Sequence, residues 1–389
     1  MMFMRVFFCI LLLGCALQGW AQSPKALLAQ AKKEVDPTQR IALLTFAVSQ
    51  DNRLADAYHY RADTYLFLGK QADALKDYNR VVSLRPKDPF RYYARGLAYM
   101  HFHKYAAAQT DFSKAIALKP TQADFYLARA RSQRNLKHYE DALNDYHIYL
   151  KKSPRPASIA HELIPIYLDT YRYENAKKQV DALQANGDDS AQIHEWYGRI
   201  LAGQNKPDEA ISEYSKALNR DESFTSAYRY RAALFKEIGD YEAALADYDT
   251  LLEKEPDALL FNRRGLVYEE IKQFDKAAQN YERAIELSPQ WAIPYNNLGF
   301  AYMNLRQWAK AKENIEKSIS LDPNAPTPYV NLAGIYWTWK KDSKKMYENL
   351  SKAVKHNFKN FDSLYDVRQK GWLFKDVNQT AQFRNTLYK

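Results

Sequence analysis

Residues 89–120 read PFRYYARGLAYMHFHKYAAAQTDFSKAIALKP, and the spacing inside this stretch decides the fold. Its first half has recurring residues three and four positions apart, which is the spacing of one face of an α-helix. These residues are Tyr92, Arg95, Gly96 and Tyr99. The residues of a second such face are Ala108, Phe112 and Ala115. Pro120 closes the stretch, because proline lacks the amide hydrogen that a continuing helix needs. The stretch therefore predicts two helices joined by a turn.

The same unit recurs along nearly the whole chain. Units begin near residues 21, 55, 89, 123, 157, 191, 225, 258, 292 and 326, so that the period is 34 residues except for one step of 33. The eighth position is small in most units, which predicts a close approach of the second helix. This pattern resembles the tetratricopeptide repeat, a helix–turn–helix unit of about 34 residues. The resemblance covers about residues 21–357. It implies an all-α fold, a right-handed superhelix (α-solenoid) of about nine to ten repeats in which neighbours complete each other's core.

Two positions vary together along the units. The seventh position is arginine in five units, and the twenty-third is aspartate in four of those five. The arginines are Arg61, Arg95, Arg129, Arg231 and Arg264. The aspartates are Asp77, Asp111, Asp145 and Asp247. Where Leu298 replaces the arginine, Asn314 replaces the aspartate. We predict a partly buried ion pair between the two helices of a unit, and removal of one partner would be costly.

The pattern weakens at a few places, and these predict the organisation of the chain. The predicted segments are a signal peptide (1–21), an N-terminal capping repeat (22–54), a first block (55–156), a degenerate unit (157–190), a second block (191–357) and C-terminal capping helices (358–389). In the degenerate unit Ala160 replaces the aromatic residue and Pro165 lies inside the first helix. Because an interior proline kinks a helix, this unit is either a hinge or a drifted repeat that stacks normally. In the last unit the second-helix positions slip by one residue, beginning at Met346.

Both capping segments have candidate apolar faces. The N-terminal face is predicted to comprise Leu27, Leu28 and Ala31 in one helix and Ala42, Phe46 and Ser49 in the next. The C-terminal contacts are predicted to come from Phe361, Leu364, Trp372, Leu373, Phe383 and Leu387.

The first 21 residues have the character of a secretory leader. Arg5 precedes an apolar run over residues 6–17, and the small Ala21 is the expected cleavage point. The run is too short to span a bilayer. Residues 12–15, LLGC, also resemble a bacterial lipobox, so a lipoprotein anchored through Cys15 is the alternative. We expect an exported protein, periplasmic or secreted. Since both cysteines lie in this leader, disulfides are not expected in the mature chain.

The net charge of +10 is concentrated towards the C-terminus, where residues 340–389 contain 12 Lys and Arg against 5 Asp and Glu. The densest run consists of Lys340, Lys341, Lys344 and Lys345. We expect it to span the turn and the second-helix start of the last unit. Such a run can dock onto an acidic protein or an anionic membrane surface, or it can be a solvated loop. Export makes nucleic acid the least expected partner.

Positions 2, 5, 9, 12 and 13 of the first helix fall opposite its core face. The family resemblance places that side on a concave groove. The candidate groove residues, at these positions or beside them, are Tyr93, Arg131, Arg229, Asn262, Asn296, Asn297, Phe300, Met303, Asn331 and Trp337. In relatives that bind extended peptides, asparagines at such positions hydrogen-bond the peptide backbone. Exposed apolar side chains in a groove also mark binding. Solvated surface is the alternative interpretation.

The sequence contains no catalytic signature with structural support: no P-loop, no GxSxG and no HExxH. We therefore expect no enzyme and no cofactor. The expected function is a protein-interaction scaffold or adaptor in a bacterial cell envelope, with a protein or peptide segment bound in the groove. A chaperone-like holder of extended or unfolded polypeptides is the alternative. The lysine, asparagine and arginine clamp of the cytosolic chaperone-binding class is not found, because Asn262 occupies the lysine position before Asn297.

Overall fold

The structure is a computed structural model, and it describes residues 22–153, 157–359, 373–374 and 380–387. The predicted signal peptide lies outside these residues, as do Phe361, Leu364 and Trp372. Within the described ranges all regular structure is helical, which confirms the predicted all-α class. Contacts divide the chain into two compact units, Met1–Leu183 and Gln184–Lys389.

The described residues of the first unit form five helical hairpins. Its helices are α1 (Pro24–Lys33), α2 (Pro37–Gln50), α3 (Ala55–Phe67), α4 (Gln71–Leu84), α5 (Pro89–His101), α6 (Tyr105–Leu118), α7 (Ala123–Asn135), α8 (Tyr139–Lys152), α9 (Ala157–Asp169) and α10 (Tyr173–Ala185), of which α10 ends two residues beyond the boundary. The helix α9 continues through Pro165. Whether the repeat of residues 157–190 acts as a hinge stays a prediction.

The second unit continues the alternation of first and second helices. Its helices are α11 (Ala191–Gly203), α12 (Pro207–Arg220), α13 (Thr225–Ile238), α14 (Tyr241–Lys254), α15 (Ala258–Glu270), α16 (Phe274–Leu287), α17 (Ala292–Asn304), α18 (Trp308–Leu321), α19 (Pro326–Ile335), α20 (Ser343–Lys355) and α21 (Ala381–Leu387). A π-helical turn, Tyr336–Lys340, follows α19 directly. Inside each unit, consecutive helices pack as antiparallel pairs and each pair stacks on the next.

The predicted helix faces form the core. In the α5–α6 pair, Ala108, Phe112 and Ala115 are fully buried. The small eighth position has the predicted role, because a Cβ built on Gly96 would lie 2.5 Å from the Phe112 ring. The same contact recurs in α15–α16, where a Cβ on Gly265 would lie 2.6 Å from the ring of Tyr281. Close packing of the two helices therefore fixes the size of this residue.

The turn inside each hairpin has a feature that the sequence analysis did not identify. Its fifteenth position has a positive φ in every repeat from residue 55 to residue 325, and most of these residues are not glycine. They are Gly69, His103, Lys137, Tyr171, Asn205, Gly239, Lys272 and Arg306. The left-handed conformation suits glycine, but the short turn imposes it on any side chain. Because bulky residues occupy the position, composition gave no signal for it.

The caps agree with the sequence in part. Leu27, Leu28 and Ala31 are buried on α1 as predicted. The predicted face of α2 is wrong in part, because the helix buries Leu44, Ala47 and Val48 while Ala42 and Ser49 are exposed. Phe46 is half-buried and packs against this cluster, as predicted. At the C-terminal end Leu373, Phe383 and Leu387 are buried, as predicted.

The one-residue slip of the last repeat has a structural explanation. In ordinary hairpins an amide of the turn bonds a carbonyl five residues back, as Lys104 N does with Tyr99 O at 2.8 Å. In the last hairpin Asp342 N bonds Tyr336 O, six residues back, at 2.9 Å. The π-helical turn thus absorbs the extra residue, and Lys341 becomes the left-handed residue of this turn.

Candidate functional site

The predicted ion pair is present in four hairpins and joins the first helix to the second. Arg95 donates from Nε and Nη2 to both oxygens of Asp111, at 2.7 and 2.6 Å. Arg61, Arg129 and Arg231 hold Asp77, Asp145 and Asp247 in the same two-bonded geometry. The hydrogen bonds to Asp111 raise the pKa of the Arg95 guanidinium against the opposing effect of burial. We call this paired contact the brace.

Each brace arginine also makes a third contact that sequence reasoning missed. Its Nη1 donates to a polar side chain 16 residues earlier, on the second helix of the preceding repeat, as Arg95 does with Asn79 at 2.8 Å. The equivalent acceptors are Thr45, Ser113 and Ser215. The arginine of the brace therefore ties neighbouring repeats together as well as the two helices of one repeat. A recurring polar residue at the twenty-fifth position was the signal for it.

The brace changes in the last three repeats. Arg264 donates to Asn280 at 2.8 Å in place of an aspartate. In the next hairpin Leu298 is buried, and the amide of Asn314 donates at 2.9 Å to Lys310 O of its own helix. Asn349 behaves in the same way in α20. The ion pair between the two helices of one hairpin is therefore absent from these three repeats, although Arg264 pairs with Asp249 of the preceding second helix at 2.5 Å.

Four predicted groove asparagines form one row of hydrogen bonds. Asn297 Nδ2 donates to Asn262 Oδ1 at 3.1 Å, which links α17 to α15. Asn331 Nδ2 donates to Asn296 Oδ1 at 2.9 Å, which links α19 to α17. Asn296 donates to Asn297 at 3.4 Å and closes the row. The structure thus brings together residues that the sequence had placed only on similar faces. We call these four residues the asparagine ladder.

The members of the asparagine ladder differ in accessibility. Asn262 and Asn331 are 4% and 1% exposed, so their expected position on an open surface is wrong. They are covered because the first helices of adjacent repeats lie side by side. Asn296 and Asn297 are half-buried. A carboxamide has two N–H donors and two acceptor lone pairs, so both retain unused hydrogen-bonding capacity.

Among the predicted apolar groove residues, Met303 is fully buried and that expectation is also wrong. It belongs to the same buried cluster as Val330 and Ile335 of the next helix, because the twelfth position of α17 faces its neighbour. Phe300 and Trp337 are half-buried. Trp337 packs on that cluster and lines an open groove with Lys344 and Tyr347.

In the first unit Tyr93 is half-buried and packs against other rings. Its ring centroid lies 5.0 Å from that of Phe125 and 5.8 Å from that of Phe112. Burial raises the pKa of Tyr93. Its neighbours Phe90 and Leu97 on α5 remain exposed, at 47% and 43%.

The two predicted groove arginines are engaged by acidic residues. Arg131 Nη2 lies 2.7 Å from Glu162 of the next first helix, and Tyr146 donates to the same carboxylate at 2.7 Å. Burial acts to raise the pKa of Glu162, but hydrogen bonds from Arg131 and Tyr146 hold it below its usual value. Arg229 contacts Glu255 at 2.8 Å and Asp257 at 3.4 Å. These charges hold adjacent repeats together, so the two arginines are not freely available cations.

The basic run lies where the sequence predicted, at the turn and the beginning of α20. Lys340, Lys341, Lys344 and Lys345 are all exposed. The Lys340 ammonium lies 3.4 Å from the centroid of the Trp339 ring. Asp342, the acid inside the run, uses its carboxylate to cap the amide of Lys345 at 3.0 Å. We call these four lysines and Trp339 the π-turn patch.

The described residues contain no group of His, Cys, Asp and Glu that could hold a metal ion. Over the same part of the chain, none of the helices has the length and apolar character needed to cross a membrane.

Sequence models of the tetratricopeptide repeat match residues 55–88, 93–155, 161–224 and 292–325, and a further repeat model of the same kind matches residues 265–305. Together these ranges cover more than half of the chain. The chain is a tetratricopeptide repeat protein. The solved structure of a tetratricopeptide repeat protein from Parabacteroides merdae agrees with it at a TM-score of 0.55 and 18% identity, over 64% of this chain and 98% of the other. This likeness shows the fold alone.

Curated relatives match over shorter stretches. Hsp70-Hsp90 organizing protein 3 of Arabidopsis thaliana is 25% identical over 118 residues, which are 30% of this chain and 21% of the relative. Cell division cycle protein 27 homolog A of Arabidopsis thaliana is 30% identical over 95 residues, 24% of this chain and 13% of the relative. The stretch of this chain that matches thus spans about a fifth or less of the length of these relatives.

Proposed function

We propose that this protein is a non-catalytic interaction scaffold whose second unit binds an extended segment of a partner protein. The asparagine ladder carries the proposal. It crosses three successive first helices, and its half-buried members Asn296 and Asn297 keep donors and acceptors that can pair with a peptide backbone. Repeat arrays of this kind present extended binding surfaces. The likeness to Hsp70-Hsp90 organizing proteins, whose name denotes assembly of other proteins, agrees with a scaffold.

The hydrogen bonds within the asparagine ladder give a physical reason for peptide binding at this site. A carboxamide that is already held on one side loses little rotamer freedom when a ligand binds, so the cost of ordering it is low. Phe300, one turn along α17 from Asn296, offers an apolar contact beside the ladder. The site therefore combines backbone recognition with a place for an apolar side chain.

The test is a peptide array probed with the wild-type chain and with Asn296→Ala/Asn297→Ala. Loss of about one hydrogen bond per residue should weaken binding of the selected peptides roughly tenfold or more. The matched control is Asn304→Ala on the same helix, whose amide bonds Phe300 O at 2.9 Å. Equal affinity of the wild type and the double variant, or equal loss in the control, contradicts the proposal.

A holder of extended or unfolded polypeptides is the second candidate, and the exposure of Phe90 and Leu97 on α5 favours it. On the same array a holder binds many apolar peptides, whereas an adaptor binds a few related sequences. Phe90→Ser/Leu97→Ser should abolish binding of the many apolar peptides and leave binding of the few related sequences intact. Crosslinking in the native host then identifies the bound protein.

The proposed location is the bacterial cell envelope, and the composition of residues 1–21 supports it. Amino-terminal sequencing of the protein from its host should begin at Gln22. A chain that begins with acylated Cys15 supports the lipoprotein alternative. An intact leader in a cytosolic fraction contradicts export.

A further inference from the structure

The π-turn patch is a local departure from an otherwise regular array. Every hairpin from residue 55 to residue 325 passes from its first to its second helix with a left-handed residue at the fifteenth position of the repeat. The last hairpin has one additional residue and a π-helical turn, so its left-handed residue, Lys341, lies one position later in the repeat. None of these is needed to pack α19 against α20, since the regular turn does so elsewhere. Insertions in repeat arrays lie on surface loops that often bind partners, and π-helical turns occur frequently at functional sites.

The insertion concentrates positive charge on an exposed surface. In the part of the chain that the structure describes, no carboxylate lies within ion-pair distance of Lys340, Lys341, Lys344 or Lys345. Asp342 is engaged with the helix amide. Trp339, 36% exposed, lies under the Lys340 ammonium, so an amphipathic indole stands beside the cations.

The choice of lysine indicates the class of ligand. In this chain, the carboxylates that are buried between helices are held by the planar fork of arginine, as in Arg95 with Asp111 and Arg131 with Glu162. Lysine pairs with exposed carboxylates, as Lys177 does with Asp181. The cations of the π-turn patch are all lysines, and a lysine is a flexible point charge without a preset geometry. Such charges suit a surface on which anions are mobile and densely spaced. Tryptophan in turn favours the boundary between lipid headgroups and acyl chains.

We propose that the π-turn patch docks the protein onto an anionic lipid surface. The lysines are attracted by the surface potential, and Trp339 enters the headgroup layer. The contact is peripheral and reversible, because four cations and one indole provide far less binding free energy than a membrane-spanning helix does. It is independent of the asparagine ladder, which lies on other helices.

The experiment compares sedimentation of the full chain with vesicles of pure phosphatidylcholine and with vesicles that also contain phosphatidylglycerol. The ratio of the two partition coefficients isolates the anionic preference. The patch variant is Lys340→Gln/Lys341→Gln/Lys344→Gln/Lys345→Gln, and Trp339→Ala is made separately. The matched control, Lys70→Gln/Lys76→Gln/Lys87→Gln/Lys114→Gln, removes the same charge from exposed lysines of the first unit.

We expect the patch variant to lose the anionic preference by roughly a hundredfold at low ionic strength, because each of the four lysines is attracted to an anionic surface and salt screens that attraction. Trp339→Ala should lower the anionic preference several-fold, and the control variant should retain the preference of the wild type. Added salt should weaken wild-type binding. The inference is overturned if the wild type shows no anionic preference or if the control loses as much as the patch variant. It is also overturned if a soluble polyglutamate peptide binds the patch while vesicles do not, because the ligand is then an acidic protein. None of these outcomes depends on peptide binding at the ladder.

Discussion

The hairpins α5–α6 and α17–α18 share one geometry but are held together differently. In α5–α6, Arg95 and Asp111 form the brace across the two helices. In α17–α18, Leu298 and Asn314 take those positions, and the Asn314 amide turns back to its own helix. Both hairpins keep glycine at the eighth position, where a Cβ would lie 2.5 Å from Phe112 or 2.4 Å from Ile315. The close contact at glycine is therefore common to both hairpins, and the brace is an addition.

The two hairpins also differ in how they join their neighbours. Arg95 reaches back to Asn79 on the preceding second helix. In α17 the link to neighbouring repeats is made by Asn296 and Asn297, which bond first helix to first helix. Where the ionic contact disappears from one side of the first helix, a neutral amide contact occupies another side. The free-energy cost of leaving a neutral amide partly unpaired is lower than that of leaving a charge unpaired. The amides can therefore form a polar surface that still has hydrogen-bonding groups for a ligand.

The largest expected effect comes from breaking one brace. Asp111→Ala leaves the Arg95 guanidinium without its partner at a site where Asp111 is 3% exposed, and it should lower the free energy of unfolding by about 3 kcal/mol. Asn314→Ala, the matched change in α17–α18, should cost less than about 1 kcal/mol. Urea unfolding followed by circular dichroism gives both values. Equal losses would show that the two hairpins are stabilised in the same way.

The glycine contact should be equally important in both hairpins. Gly96→Ala and Gly299→Ala each force a methyl group against a packed side chain and should cost about 1–3 kcal/mol. Gly69→Ala is the control for backbone strain alone, because its φ is positive and nothing lies within 4 Å of an added Cβ. A loss at Gly96 much greater than at Gly299 would mean that the brace and the close contact are coupled.

The asparagine ladder should contribute a smaller amount to the free energy of unfolding. Asn297→Ala removes the donor to Asn262, a buried residue, and should cost about 1 kcal/mol, with faster amide exchange in α15 and α17. Asn304→Ala on the same helix should change exchange only near its own turn. Unchanged exchange in α15 after Asn297→Ala would show that the ladder does not link the repeats.

The smallest expected effect concerns a repeat without a brace. There Glu162 of α9 takes hydrogen bonds from Arg131 and Tyr146, which hold its pKa below the unfolded value. A carboxylate with a depressed pKa stabilises the fold above the unfolded pKa, about 4.3, and loses that contribution as the pH falls through the folded pKa. Glu162→Gln should therefore cost up to about 1 kcal/mol at neutral pH and flatten the acid dependence of stability. Glu140→Gln, at an exposed surface pair with Arg172, is the matched control and should cost less than Glu162→Gln at neutral pH.

The sequence by itself determined the helical hairpins, their faces, the small eighth position and the brace between Arg95 and Asp111. These features repeat every 34 residues, and each depends on contacts within one hairpin, so the covalent spacing already specifies them. It also predicted that Asn262, Asn296, Asn297 and Asn331 fall on one side.

Only the tertiary structure decided what those groove residues contact. Met303 is buried, Arg131 and Arg229 are paired, and the asparagines bond one another. Each of these outcomes involves a partner on a neighbouring repeat, about 26 to 35 residues away along the chain. The periodicity of one helix predicts the direction in which a side chain points. The adjacent helix determines whether that side chain contacts water, an acidic residue or an amide.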